Sequence, residues 1–526
     1  MDTKALRQKI LDLAIRGQLV PQDPNDEPAS VLLDRIRAEK QKMVKEGKLK
    51  AKDIKNDSVI FVGEDNLHYE KFANGSVRCI EDEIPFDLPE GWAWSRIKNI
   101  ASIGTGATPL KSNTEYYVGG KISWITSAAT CDNIIKSATD YITELAVQET
   151  NCQIYPVGTL VVAMYGEGKT RGQISELGIA ACTNQACAAI QVWGGNAGVS
   201  QLVKMFFSYN YENIRMKAKG GQQPNLNQSI IAETLIPIPP ENEIMRLLDF
   251  SHTCLNEIQV ITENKERTFQ LANQARTKIL DLAIRGKLVP QDPNDEPASV
   301  LLERIRAEKE ELIKQGKIKR DKKESVIFRG EDNSYYEKID GKVLCIDDNI
   351  PFEIPESWAW CRGYSCFEGM TSIKPQGEFF DYIDIDAIDN RNHCIKEAKR
   401  LPVSKTPSRA SRAVKSGSVL FSLVRPYLEN IALVEEERSH CIASTGFYIC
   451  NSNGVFLPEF MFFLMVSRYV VNGLNQYMKG DNSPSISKDN IENWLYPVPP
   501  LEEQKTICFK LKDAFSAIER MEKSLS

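Results

Sequence analysis

Residues 241–285 contain neither proline nor glycine. Along them, apolar or small residues recur three or four apart, at Ile244, Leu248, Ser251, Leu255, Ile258, Thr262, Phe269, Ala272, Ile279 and Leu282, with a weak point at Lys265. That spacing predicts one long helix with a single packing seam, ended by Gly286. At ~1.5 Å per residue the helix is a rod of roughly 65–70 Å. Residues 501–526 carry a similar seam through Ile507, Leu511, Phe515, Ile518, Met521 and Leu525. A shorter helix is predicted after Pro28, with Val31, Leu32 and Ile36 on one face and Gly47 as its stop. The Lys-rich run after it, "GKLKAKDIK", reads as a linker or exposed arm. Elsewhere the pattern is short and β-rich: "KISWIT" (121–126), "GTLVVAMY" (158–165), "CAAIQVW" (187–193), "YIDIDAI" (382–388) and "GSVLFSLV" (417–424) alternate with glycine turns. Residues 201–220 and 458–480 read as helices ended by glycine.

The chain also repeats itself. Lys9–Lys40 and Lys278–Lys309 are identical except at Gln18/Lys287 and Asp34/Glu303. The likeness persists through 58–94 and 325–360, to the end of a shared Pro-Glu-x-Trp-Ala-Trp, and then collapses. It returns at 220–243 and 480–503, where Pro224 matches Pro484 and a Pro-x-Pro-Pro-x-x-Glu motif recurs. Neutral drift would spread differences evenly; here one block is held and the next rewritten. Constant blocks therefore meet the same partner or do the same job twice, and variable blocks read two different targets. Aligned on the prolines, Ser526 falls on Glu266; aligned on the leading repeat, Met1 falls on Gln270. Tail and head together rebuild the central helix.

The expected fold is mixed α/β, of the α+β class. Two modules of short-stranded sheets are separated by two long helices that pair as an antiparallel coiled coil, circularly organised about a pseudo-twofold axis. The expected segments are 1–50, a helical block completing the distal helix; 51–83, a linker or lead-in; and 84–240, the first variable module. They continue with 241–286, the central helix; 287–349, the repeated helical block and lead-in; 350–500, the second variable module; and 501–526, the C-terminal helix.

Composition changes this picture little. With 526 residues, 42% hydrophobic and 26% charged, the chain is ordinary for a soluble globular protein, and no apolar run spans a membrane. Thirteen cysteines without Cys-x-x-Cys spacing read as free thiols of a reducing cytoplasm, and four scattered histidines argue against a metal site. A net charge of −6 argues against nucleic acid coating the whole surface, but not against local basic faces such as 396–415.

Catalytic chemistry is poorly represented. "AMYGEGKT" (163–170) fits a relaxed nucleotide-loop pattern, but Gly172 and Gly178 interrupt what should be a helix behind it. "GTGATP" (104–109) is a lone Gly-x-Gly, the Asn/Asp-Pro-Pro-aromatic motif of adenine methyltransferases is absent, and Asp384/Asp386 fit a strand edge. Such a chain reads as non-catalytic. A scaffold that dimerises partners without touching DNA is the alternative, and a self-sufficient methyltransferase or nuclease has least in its favour.

The alternation of constant helical and variable α/β blocks resembles the specificity subunit of type I restriction–modification enzymes. "IGTGATPLKSNTEYYVGGKISWIT" (103–126), "GTLVVAMYGEGKTRGQISELGIAACTNQACAAI" (158–190), "GGQQPNLNQSII" (220–231) and the Pro-x-Pro-Pro-x-x-Glu closure are similar to the motifs of its target recognition domains. The second module lacks the opening motif near 363–380, although 417–437 resembles a second variety of these domains. The resemblance implies that each module reads one half of a bipartite, asymmetric double-stranded DNA site. The paired helices would set the spacer and dock two copies of a methyltransferase subunit, and restriction/translocase subunits would complete the complex. S-adenosylmethionine, ATP and magnesium would be bound by those partners and no cofactor by this chain. Candidate DNA contacts are Lys111, Asn113, Lys169, Arg171, Gln222, Gln223 and Asn225 in the first module, and Arg409, Arg412, Lys415, Arg425, Tyr427, Lys479 and Asn482 in the second.

Overall fold

The computed structural model describes residues 2–51, 54–166, 169–218, 225–318, 320, 323–339 and 341–525. The chain divides into two compact units, Met1–Asn264 and Lys265–Ser526. The division falls at Lys265, where the seam of the long helix is weakest. That helix spans Glu241–Ile284, and every predicted seam residue is buried or half-buried, while Met245, Phe250, Val260, Ile261 and Leu271 on its other faces are exposed. In the first unit Ile244 and Leu247 share a core with Leu11, Ala14 and Ile15 of helix Thr3–Ile15. In the second, Leu280, Ala283 and Ile284 share a core with Ile507 and Leu511 of helix Leu501–Leu525, and Arg276 pairs with Glu522 at 2.6 Å.

The repeated motifs meet at one joint in each unit. Helix Thr3–Ile15 stops ahead of Gly17 (φ 66°) and the long helix ahead of Gly286 (φ 68°), both in the left-handed region. A Cβ on Gly17 would lie 2.6 Å from Pro89 and 2.9 Å from Trp92, and one on Gly286 would overlap Pro355, so only glycine fits. The tryptophans reach onward: Trp92 Nε1 donates to Glu243 at 3.1 Å and Trp358 Nε1 to Glu503 at 2.9 Å. Gln22 and Gln291, from the constant phrase, donate to the same two glutamates at 3.2 and 2.7 Å. Burial pushes both carboxyls above the ordinary glutamate value, against the pull of these donors.

The lead-in is more than a linker. In each unit it holds a three-stranded antiparallel meander: Ser58–Val62, His68–Phe72 and Val77–Cys79 in the first, Ser325–Arg329, Tyr335–Ile339 and Lys342–Cys345 in the second. A buried ion pair fixes it to the module. Glu70 accepts from Arg96 at 2.8 Å and from Ser58 at 2.6 Å, and Glu337 accepts from Arg362 at 2.8 Å. Arg96 ends strand Ala93–Arg96, which pairs antiparallel with Leu235–Ile238 so that Trp94 faces Pro237. In the second unit Ala359–Arg362 pairs with Leu495–Val498, with Trp360 facing Pro497. The first and last strands of each module thus form one ladder.

Between those strands the modules differ. The first has a five-stranded sheet in the order Ala101–Thr105, Cys187–Val192, Leu160–Ala163, Ile174–Leu177, Ile134–Ile135, beside a three-stranded one. The second has a four-stranded sheet and a three-stranded sheet, with Val419–Ser422 central in the latter. The single helices expected at 201–220 and 458–480 are each two: Ala197–Tyr209 and Tyr211–Met216, then Pro458–Met465 and Arg468–Asn475. Serine chemistry explains the second break. Ser467 Oγ accepts from Val470 N at 3.4 Å and caps a new helix that begins at Arg468.

The ion pair has a pH signature. Burial would raise the Glu70 carboxyl, but Arg96, Ser58 and Arg78 hold it down at about 2. Its folded value lies below its unfolded one, so its stabilisation is present above the ordinary glutamate range and is lost as pH falls toward 2. The expected loss from this group is on the order of 3 kcal/mol between about pH 5 and pH 2. Urea titrations across that range check it: Glu70→Gln should be less stable at neutral pH and should lack this part of the acid dependence.

Candidate nucleic-acid interface

In the first unit four segments gather at the C-terminal end of strand Leu160–Ala163. Met164 N donates to the Ala186 carbonyl at 2.7 Å, and the Met164 carbonyl accepts from Leu226 N at 3.1 Å. Gly106 lies so close to Thr183 that a Cβ would overlap its carbonyl, and Thr108 Oγ1 donates to Gln185 at 2.6 Å. The chain then runs through Pro109 and Leu110 to Lys111. Lys111, Lys169, Arg171 and Asn225 therefore lie on loops brought to one strand end, with both lysines exposed and Arg171 and Asn225 half-buried. Asn113 has a structural task, capping the turn Thr114–Tyr116 by accepting from Glu115 N at 3.2 Å. Gln222 and Gln223 lie outside the described residues.

The nucleotide-loop pattern around Lys169 leads through a turn at Gly172 (φ 87°) into strand Ile174–Leu177, antiparallel to Leu160–Ala163. A phosphate loop needs a helix N-terminus behind its lysine, and a strand stands there instead. The Tyr211 hydroxyl donates to the Lys169 carbonyl and ties this loop to helix Tyr211–Met216.

The second unit builds the same frame from different residues. At the end of Val419–Ser422, Leu423 N donates to the Gly446 carbonyl at 2.8 Å and Ile486 N to the Leu423 carbonyl at 2.9 Å. Arg425 N donates to the Pro484 carbonyl at 2.8 Å, its guanidinium to the Asn482 carbonyl at 3.0 Å, and Lys479 and Ser485 exchange backbone bonds at 3.0 Å. Arg425, Tyr427, Lys479 and Asn482 are thereby exposed on two touching loops. Arg409 joins them, since its carbonyl accepts from Thr445 N beside Gly446 at 2.8 Å. Arg412 lies half-buried in strand Ala410–Ala413, and Lys415 lies near the opposite end of Val419–Ser422 with its ammonium on Glu368 at 2.8 Å. The basic run 396–415 is thus divided, with Lys399 also taken up by Asp386 at 2.5 Å.

Arg425 (φ 48°) and Glu429 (φ 54°) flank the turn Pro426–Leu428, both left-handed without being glycine. Such residues cost ~1–3 kcal/mol each and cluster at working sites. Here the cost is offset by the bonds from Arg425 N to Pro484, from Leu428 N to the Arg425 carbonyl at 2.9 Å and from Ile431 N to the Glu429 carbonyl at 2.8 Å.

A family model described as the type I restriction modification DNA specificity domain matches residues 89–267. The EcoAI and EcoEI type I restriction enzyme specificity subunits of Escherichia coli are each 26% identical to this chain, over 98% and 99% of it and 90% of each subunit. Residues 89–267 thus match the type I restriction specificity domain, and nearly the whole chain is similar to type I specificity subunits. A crystal structure of the HsdS subunit from Thermoanaerobacter tengcongensis shares 34% identity over 33% of this chain and 46% of that one, with a TM-score of 0.31.

The match begins at Pro89, at the joint, and runs through the first module into the long helix. Sequence reasoning missed Thr108, Tyr165 and Gln185 at the first strand end and Thr445 at the second. A local signal for two of them existed. Asn184 accepts from Ala186 N at 3.1 Å and Ser444 accepts from Gly446 N at 3.3 Å, the turn chemistry that puts Gln185 and Thr445 at a loop tip.

The left-handed position gives a direct check by urea denaturation of paired variants. Arg425→Gly should stay within ~1 kcal/mol of the parent, and Arg425→Val should lose ~2 kcal/mol because a β-branched residue resists this conformation.

Proposed function

We propose that this chain is a specificity subunit that reads double-stranded DNA as a non-catalytic component of a cytoplasmic type I restriction–modification complex. Each unit reads one half of a bipartite, asymmetric site with the loops at its central strand end. What carries this reading is the identical backbone frame at Met164 and Leu423 presenting different side chains. Lys111, Lys169, Arg171, Arg409 and Lys479 suit phosphate contacts that set register. Asn225, Arg425 and Asn482, with Gln222 and Gln223, suit base-edge contacts that discriminate at ~1–3 kcal/mol each. Asn113, Arg412 and Tyr427 serve as flanking positions, and Lys415, held by Glu368 near the other end of the strand, takes no part.

The helices Thr3–Ile15, Glu241–Ile284 and Leu501–Leu525 set the spacer between half-sites, in the pseudo-twofold arrangement that the repeats imply. They dock two copies of the methyltransferase subunit, and restriction/translocase subunits complete the assembly. S-adenosylmethionine, ATP and magnesium belong to those partners.

Mapping modified adenines in cells with and without this gene tests the reading. One bipartite methylated motif should vanish with the gene, and if none does the proposal fails. A four-residue insertion within 255–270 should change the spacer of that motif while leaving both half-sites as they were; an unchanged spacer would remove the ruler role.

A further inference from the structure

The two meanders carry an observation that DNA reading does not use. In each, one face turns inward toward the Glu70–Arg96 or Glu337–Arg362 pair, and the other faces solvent. On the inward face Ser58, Ile60 and Glu70 recur as Ser325, Ile327 and Glu337, while Val62, His68, Phe72 and Arg78 in the first unit correspond to Arg329, Tyr335, Ile339 and Leu344 in the second. On the outward face the strand residues are the same type throughout. Val59, Phe61, Tyr69, Lys71, Val77 and Cys79 correspond to Val326, Phe328, Tyr336, Lys338, Val343 and Cys345, joined by the same cross-strand registers.

Packing cannot be what holds these residues constant. Phe61 and Phe328 are each 41% exposed, and Val77 and Val343 each 52%. The geometry is reproduced as well: Phe61 stacks on Tyr69 and Phe328 on Tyr336, both with ring centroids 5.9 Å apart. Each tyrosine hydroxyl donates to the turn aspartate, Asp65 at 2.7 Å and Asp332 at 2.8 Å. Ordinarily the buried face of a sheet is the constrained one and the wet face is free to drift. Here the wet face is held along with the buried Ser58 and Glu70 positions, and packing accounts only for the latter, so the constraint on the wet face comes from outside the chain.

We propose that each outward meander face is a docking surface for one methyltransferase subunit. This rests on the reading above, in which two copies bind one chain. Two like faces per chain match two like partners, whereas the DNA site is asymmetric. An apolar, aromatic strip with Glu64 and Asp65, or Glu331 and Asp332, at its turn repels a polyanion. The same features suit a protein surface with an apolar patch beside basic side chains.

The exposed thiols Cys79 and Cys345 report on the face without any substitution, and Cys131 and Cys394, exposed in the modules, serve as references. Maleimide labelling of the full chain, read site by site by mass spectrometry, is compared with and without saturating methyltransferase subunit in the absence of DNA. Labelling of Cys79 and Cys345 should slow at least tenfold while that of Cys131 and Cys394 is unchanged. Phe61→Ser with Phe328→Ser should weaken uptake of both copies at least tenfold with circular dichroism unchanged, and either single variant should weaken one copy. The inference is overturned if two copies bind while both thiols label at the free rate, or if the double variant binds like the parent. Protection of the thiols by self-association of the chain alone also overturns it, by assigning the face to a second copy. A parent chain that takes up no methyltransferase sinks the proposed function itself, and this inference with it.

Discussion

Each unit depends on a joint in which a buried glutamate is held by a tryptophan and a glutamine. Glu243 and Glu503 each begin a long helix, and each is reached by an indole from the start of the variable module and an amide from the constant phrase. Removing a carboxylate from water is costly unless its lone pairs are met, and here both oxygens have donors. The glycine at the end of the preceding helix completes the joint, because the indole and proline occupy the space a side chain would need. Four sequence features far apart in the chain thus share one small volume, and none can change alone. This explains why the phrase is repeated almost letter for letter while the modules between its copies are not.

From that joint the chain leaves along a two-stranded ladder, Ala93–Arg96 with Leu235–Ile238 or Ala359–Arg362 with Leu495–Val498. The module lies wholly between the two strands. Its central strand ends in a residue that bonds two other segments through backbone atoms alone, as Met164 and Leu423 do. Backbone bonds are indifferent to side-chain identity, so the loops keep their positions while their side chains are free to specify. Such a scaffold separates the holding of a loop from the choice of its side chains.

Much of the helical architecture was legible because it is periodic. The seam from Ile244 to Leu282 foretold Glu241–Ile284 closely, and even its weak point at Lys265 coincides with the boundary between units. The repeats foretold the joint without revealing its chemistry, since nothing local in "LAIRG" says that an indole will lie on the glycine. The meanders were misjudged because Lys-rich flanking residues drew attention from alternating strands only five residues long. Helices split at Ser467 and beside Asn210 were hidden because a few polar residues between apolar ones also fit one continuous amphipathic helix. Of the candidate contacts, Lys169 and Asn225, and Arg425 and Asn482, were brought together by hydrogen bonds that no linear spacing encodes. Lys415 was drawn away by Glu368, a partner 47 positions earlier.

The ladder that closes each module has a polymer consequence. Because its two strands are paired, everything between them is, to the rest of the unit, a single loop whose ends are already adjacent. Closing such a loop costs entropy that grows only with the logarithm of its length, about 0.6 kcal/mol for each doubling. Residues can be gained, lost or replaced between Arg96 and Leu235, or between Arg362 and Leu495, at little cost in chain entropy, provided that the new module keeps the apolar face, such as Val203 and Phe206 or Phe460 and Leu464, that shares a core with the helices outside. A lineage can therefore exchange one such module for another as a cassette, with the joint and the ladder as the fixed socket.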